Sequence, residues 1–107
     1  MKVIFYKTKN NKIPFKEWVE SLDAKVQTIV DLRLSRIMFG NFGDCKPIVG
    51  AKGILELRIQ YGAGYRVYFG RDKTSIIVLL IGGDKGSQSR DIEKARRYWL
   101  DYKQESK

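Results

Sequence analysis

Two arginines, a glutamate and a tyrosine stand at alternating positions in two nearby segments, as side chains do on one face of a β-hairpin. Glu56 and Arg58 alternate with apolar residues in the first segment, and Arg66 and Tyr68 in the second. If Arg58 lies opposite Arg66, all four side chains share the outward face. A guanidinium group bonds two phosphate oxygens at once and keeps its charge, so this face is predicted to hold a phosphate clamp. The alternative is a pair of solvated strand residues balanced by Glu56.

The residues around this pattern predict a hairpin within a larger sheet. Ile54–Ile59 is predicted as one strand and residues 65–69 as the next, joined by the glycine-rich connection 60–64. Residues 74–81 are apolar on both faces, which indicates a central strand that is covered on both sides. The glycine-containing segment 82–86 is predicted to break that strand.

A strand and two helices are predicted before the hairpin. Residues 3–7 are typical of a short strand. Pro14 suits the first turn of a helix, and Ser21 and Asp23 can cap a second helix that ends near Gly40. Both helices carry an apolar stripe, which consists of Phe15, Trp18, Val19 and Leu22 in the first and of Val26, Ile29, Val30, Leu34, Ile37 and Met38 in the second.

A final helix is predicted after the hairpin and the central strand, capped by Ser87 or Ser89. Its buried stripe is Ile92, Ala95 and Trp99. The element order β-α-α-β-β-β-α predicts a single α+β domain over residues 1–107, in which an N-terminal strand and a helical hairpin pack on a mostly antiparallel sheet. All helices are expected on one side, which leaves the outer side of the sheet as the active surface.

The amino-acid composition limits the ligands and the catalytic groups that the chain can use. Twenty-one basic and 12 acidic residues give a net charge of +9, which favours a polyanion but equally an acidic protein partner or solubility alone. The chain has no histidine and one cysteine, so neither a metal site, a disulfide nor a cofactor is expected, and any catalysis relies on Lys, Arg, Asp, Glu, Tyr or Ser. The longest apolar run spans residues 76–81, so no membrane segment is predicted and a cytoplasmic location is expected.

Four stretches, in the same order along the chain, resemble the RelE/ParE toxin superfamily and within it the HigB-like addiction-module killer proteins. They are Pro-Phe-Lys-Glu-Trp at 14–18, Gly-Ile-Leu-Glu-Leu-Arg at 53–58, Gly-Tyr-Arg-Val-Tyr at 64–68, and the segment 80–95. The resemblance implies a RelE-like fold and a ribosome-dependent, metal-independent mRNA endonuclease that inhibits translation. It also implies a cognate antitoxin, commonly a helix-turn-helix protein.

The resemblance also assigns the site. Arg66 corresponds to a catalytic arginine that contacts phosphate, Arg58 to a basic residue on the preceding strand, and Lys85 to a cation in the loop after the last strand. The glycines beside Lys85 can add backbone N–H groups toward an anion, although a plain turn explains them as well. At the last helix, where several relatives carry Tyr or His as acid or base, this chain has Gln88, Arg90 and Asp91.

Proton transfer and RNA contacts complete the prediction. Glu56, Asp91 or Lys85 is expected to act as the base, and Asp91 alternatively complements the dipole of the last helix. Tyr68 is expected to stack on an RNA base, whereas Tyr65 is half-buried. The residues expected to bind RNA are Lys46, Lys52, Tyr68, Gln88 and Arg90.

Two other functions remain open at this point. One is a ParE-like toxin that acts by binding DNA gyrase, and the other is an RNA-binding module without catalysis.

Overall fold

Five strands form one sheet, with a helical hairpin after the first strand and a third helix at the end of the chain. A computed structural model describes residues 1–73 and 75–105. The elements are β1 (Lys2–Phe5), α1 (Pro14–Glu20), α2 (Ala24–Met38), β2 (Cys45–Pro47), β3 (Ile54–Ile59), β4 (Tyr65–Asp72), β5 (Ile76–Asp84), a 3₁₀ turn (Lys85–Ser87) and α3 (Gln88–Glu105). The predicted α+β class is confirmed.

The strand order in the sheet is β1-β5-β4-β3-β2. β1 runs parallel to β5, and the other neighbours are antiparallel. Arg58 lies opposite Arg66 and Glu56 opposite Tyr68, so the predicted hairpin register is confirmed. The connection 60–64 joins the two strands at the predicted residues.

The helical hairpin covers one face of the sheet. Pro14 stands in the first turn of α1, and the carboxylate of Asp23 accepts a hydrogen bond of 3.0 Å from the N–H of Val26 at the start of α2. Gly40 follows the end of α2 with a φ of 86°, a conformation that glycine adopts without strain. The core on this face contains Phe15, Val26, Val30, Ile37, Leu57, Ile59, Val67, Phe69, Ile77 and Leu79.

α3 covers the opposite face, so the prediction that all helices lie on one side is wrong. Ala95 and Trp99 of α3 join a second core with Ile54, Tyr68 and Leu80. The indole of Trp99 lies directly on Gly70, where a Cβ atom would overlap the ring. Because the strand side chains on this face include apolar residues, it needs a cover, and the apolar stripe of α3 supplies one.

Three further details differ from the sequence expectation. Cys45–Pro47 forms an edge strand that was not predicted, because three residues that include a proline carry little alternation. Gly82 and Gly83 continue β5 instead of breaking it, because they pair with β4. They are glycines because the Trp18 ring and the Asp91 carboxylate lie too close for a side chain. Thr74, predicted to begin this strand, lies outside the described residues. Among the described helices, none has the length and apolar character needed to cross a membrane.

Candidate phosphate-binding site

A cavity of about 470 Å³ opens beside the β3–β4 hairpin and is lined by three cationic residues, Arg58, Arg66 and Lys85. We call it the cationic cavity. The hairpin register places the two arginines opposite each other. Lys85 reaches the same place because β5 ends beside the start of β4, and its N–H donates to the carbonyl of Gly64 at 3.2 Å. The remaining lining residues are 59–65. The structure therefore brings together the three cations that the sequence analysis selected.

An ion pair with Glu56 holds the Arg66 side chain in place. The Glu56 side chain is fully buried, and its Oε1 atom accepts a hydrogen bond of 3.0 Å from Nη1 of Arg66. Its Oε2 atom accepts from the Gln88 amide at 2.9 Å, which ties the start of α3 to the same carboxylate. With both oxygens engaged away from solvent, Glu56 does not fit the expected role of a base that meets RNA. It positions Arg66 instead.

Arg58 is held by a different carboxylate. Its guanidinium contacts Oδ1 of Asp44 through Nη2 at 2.9 Å and Nε at 3.3 Å, and its backbone N–H donates to the Asp44 carbonyl at 2.9 Å. The hydrogen bond from Arg58 keeps the pKa of Asp44 below its usual range. Sequence reasoning missed Asp44, because its place opposite Arg58 depends on the short strand β2.

The charge balance of the cationic cavity favours an anion. Two arginines placed opposite each other repel, but each has its own carboxylate, Asp44 or Glu56. Lys85 is exposed and forms no ion pair within residues 1–73 and 75–105. Three cations thus stand against two carboxylates, and one of these carboxylates is fully buried. Such a site attracts a phosphate group, whose oxygens accept hydrogen bonds from all three cations.

Asp91 does not line the cationic cavity, but it lies beside Arg66, because its carboxylate sits on Gly83, the residue that pairs with Arg66 across β4 and β5. It is buried in the first turn of α3, where its carboxylate accepts a hydrogen bond from the Ser87 hydroxyl and covers Gly83. Its neighbour Arg90 is exposed and lines a different cavity. Asp91 is therefore close to Arg66 without lining the cationic cavity, whereas Arg90 lines only the other cavity.

Tyr68 is fully buried, so the prediction that it faces outward to stack on RNA is wrong. α3 covers the ring, and the buried hydroxyl lies beside the Glu56 carboxylate but forms no well-oriented hydrogen bond among the described residues. Burial, together with the negative charge of Glu56, raises the pKa of Tyr68. A buried hydroxyl without a partner costs stability, because it has lost its hydrogen bonds to water.

Two matched tyrosine substitutions should change the free energy of unfolding in opposite directions. Tyr68→Phe removes the unpartnered hydroxyl and should raise the free energy of unfolding by about 1 kcal/mol. Tyr6→Phe removes a hydroxyl that donates to Asp101 at 2.6 Å and should lower it by about 1–2 kcal/mol. Urea unfolding of both variants and the wild type measures the difference. A loss of stability in Tyr68→Phe comparable to that in Tyr6→Phe would show that the Tyr68 hydroxyl has a partner.

Two other residues predicted to contact RNA, Lys46 and Lys52, do not line the cationic cavity. Lys46 pairs with Glu56 across β2 and β3, so it shares the face of the arginines at the sheet edge, and it is exposed. Lys52 is exposed in the turn before β3. Tyr61 and Tyr65 line the cationic cavity, but the sequence analysis did not place either among the site residues. The glycines that follow Tyr61 predict the hairpin connection, but they do not indicate that its tyrosines line a cavity.

A family model and a related protein each match most of the chain. Residues 17–99 match the family model described as phage-derived protein Gp49-like. A protein from Haemophilus influenzae, described only as an uncharacterized protein, is 40% identical over 85 residues, which cover 78% of this chain and 84% of the relative. The matched range includes the three cations of the cationic cavity and both carboxylates that hold the arginines.

Proposed function

This chain belongs to the Gp49-like family of phage-derived proteins, a toxin-like family, and on that premise we propose that it is the toxin of a toxin–antitoxin pair. We further propose that it is an endoribonuclease that cuts translated mRNA on the ribosome. The observation that carries this proposal is the convergence of Arg58, Arg66 and Lys85 on one cavity. The net charge of +9 supports attraction to RNA, and an acidic antitoxin surface can neutralise it.

RNA cleavage without a metal requires charge stabilisation at the phosphate. The 2′ oxygen attacks the phosphorus and the bond to the 5′ oxygen breaks, which leaves a 2′,3′-cyclic phosphate and a free 5′ hydroxyl. Negative charge grows on the phosphate oxygens as the new bond forms. The two guanidinium groups and the Lys85 ammonium stabilise that charge, and Glu56 and Asp44 keep the arginines oriented before the substrate arrives.

Protons must also move during this reaction. One leaves the 2′ hydroxyl and one is delivered to the 5′ oxygen. Lys85, Tyr61 and Tyr65 are the lining residues of the cationic cavity whose side chains are of types that act as general acids or bases in enzymes. We assign proton transfer to this group, in place of Glu56 and Asp91, because both of those carboxylates are buried and engaged by other side chains.

The test is cleavage of a defined mRNA by the purified protein, with and without translating ribosomes, after the protein alone has been treated with EDTA and desalted. We expect the EDTA-treated protein to cut on the ribosome and to leave 2′,3′-cyclic phosphate ends, and we expect no cut when the nucleotide at that position carries no 2′ hydroxyl. Co-expression of the neighbouring helix-turn-helix protein, where the genome encodes one, should relieve growth arrest.

Two results would contradict the nuclease proposal. Growth arrest with intact transcripts and inhibited DNA gyrase would indicate a gyrase-binding toxin. RNA binding without any cut, on or off the ribosome, would indicate an RNA-binding module.

A further inference from the structure

A second cavity, of about 770 Å³, lies between α1 and α3. Its floor is the end of β5, which extends beyond its last pairing with β1 at Leu79. Trp18 stands on the α1 side, and Arg90 and Lys94 stand on the α3 side. This volume is in the range of protein pockets that hold small molecules or nucleotides. We call it the interhelical cavity.

Three cationic and three acidic side chains line the interhelical cavity. Lys12, Arg90 and Lys94 line it and form no ion pair within the described part of the chain. Two of its carboxylates are engaged locally, since Asp84 accepts from the Ser87 N–H and Asp91 from the Ser87 hydroxyl. The third carboxylate, Glu17, belongs to α1, so Arg90 and Lys94 on the α3 side are the cations placed to bind an anionic ligand.

Aromatic residues connect this cavity to the first one. Trp18, Tyr65 and Tyr98 line the interhelical cavity, and all three side chains are partly exposed. Tyr65 also lines the cationic cavity, so the two cavities meet at this residue. Aromatic rings stack on nucleic-acid bases of any sequence, and nearby cations pair with the backbone.

We propose that the interhelical cavity binds the single-stranded RNA nucleotides adjacent to the phosphate held by Arg58, Arg66 and Lys85. This inference rests on the proposed nuclease function and extends it to a second subsite. The RNA passes Tyr65, its bases contact the aromatic side chains, and Arg90 and Lys94 pair with the following phosphates. An acidic peptide that pairs with the open edge of β5 is the competing occupant, and RNA is favoured because Tyr65 makes the two cavities continuous.

The test uses fluorescein-labelled 2′-O-methyl RNA, which cannot be cut, as a dinucleotide and as a hexanucleotide. Binding is measured by fluorescence anisotropy at several salt concentrations. The variant is Arg90→Ala/Lys94→Ala, and the matched control is Lys2→Ala/Arg36→Ala, which removes two exposed cations near the start of β1 and the end of α2. We expect the variant to bind the hexanucleotide about tenfold more weakly with a shallower salt dependence, and the dinucleotide as the wild type does.

The outcomes separate this inference from the proposed function. Hexanucleotide binding that is unchanged in Arg90→Ala/Lys94→Ala but lost in Arg58→Ala/Lys85→Ala would overturn the second subsite alone. The same conclusion follows if Arg90→Ala/Lys94→Ala loses only the binding of a glutamate-rich peptide. A wild-type protein that binds neither oligonucleotide but cuts mRNA on the ribosome would overturn the second subsite alone, and one that does neither would overturn both proposals.

Discussion

Joint replacement of Arg58 and Lys85 by alanine should abolish RNA cleavage and leave the fold intact. Loss of one preorganised donor at a developing oxyanion slows a reaction by about 100- to 1,000-fold, so removal of two cations should reduce the single-turnover rate by about 1,000-fold or more. The fold should tolerate the change because Lys85 is exposed and the Arg58 side chain is 37% exposed. An exposed ion pair such as Arg58–Asp44 contributes little to the free energy of unfolding.

The control for this prediction is Lys2→Ala/Arg36→Ala, which removes the same charge at the opposite end of β1 and β5 from the cationic cavity. It should cleave RNA at close to the wild-type rate, so that an effect of net charge on RNA encounter can be separated from an effect on the reaction. Urea unfolding of each variant confirms that the protein is folded. If Arg58→Ala/Lys85→Ala is folded and still cuts RNA within about tenfold of the wild-type rate, the cationic cavity is not the nuclease site.

Replacement of Arg66 alone by alanine should destabilise the whole domain. Glu56 is fully buried, and Arg66 is its ion-pair partner at 3.0 Å. A buried charge that loses its partner typically costs about 3–5 kcal/mol, a large share of the stability of a domain of this size. Loss of cleavage in Arg66→Ala therefore does not by itself identify a catalytic arginine.

A double-mutant cycle separates the two roles of Arg66. Glu56→Gln removes the buried charge, and the glutamine amide oxygen can still accept from Gln88. We expect Arg66→Ala/Glu56→Gln to recover about 2 kcal/mol or more of the free energy of unfolding lost in Arg66→Ala, without recovering cleavage. Stability recovered together with cleavage would show that Arg66 serves only to neutralise Glu56. Equal instability of the single and double variants would show that the ion pair is not the cause.

The hairpin illustrates what the amino-acid pattern alone determines. Side chains alternate strictly along a strand, and a short glycine-rich connection sets the pairing of the two strands, so the sequence placed Arg58 opposite Arg66. The same local rules located the starts of α1 and α2, because Pro14 and Asp23 act on the helix turn that they begin.

Only the tertiary structure decided which side chains on the arginine face of the hairpin are exposed to solvent. An apolar stripe shows that α3 must be buried, but not against which face of the sheet, because both faces carry apolar residues. Once α3 lies over the arginine face, Glu56 and Tyr68 become interior residues while Arg58 stays partly exposed. Asp44 likewise joins the site through pairing across β2 and β3, a contact between segments 14 residues apart that no local pattern contains. The sequence thus determined the chemical types on one face, and packing determined which of them can touch a substrate.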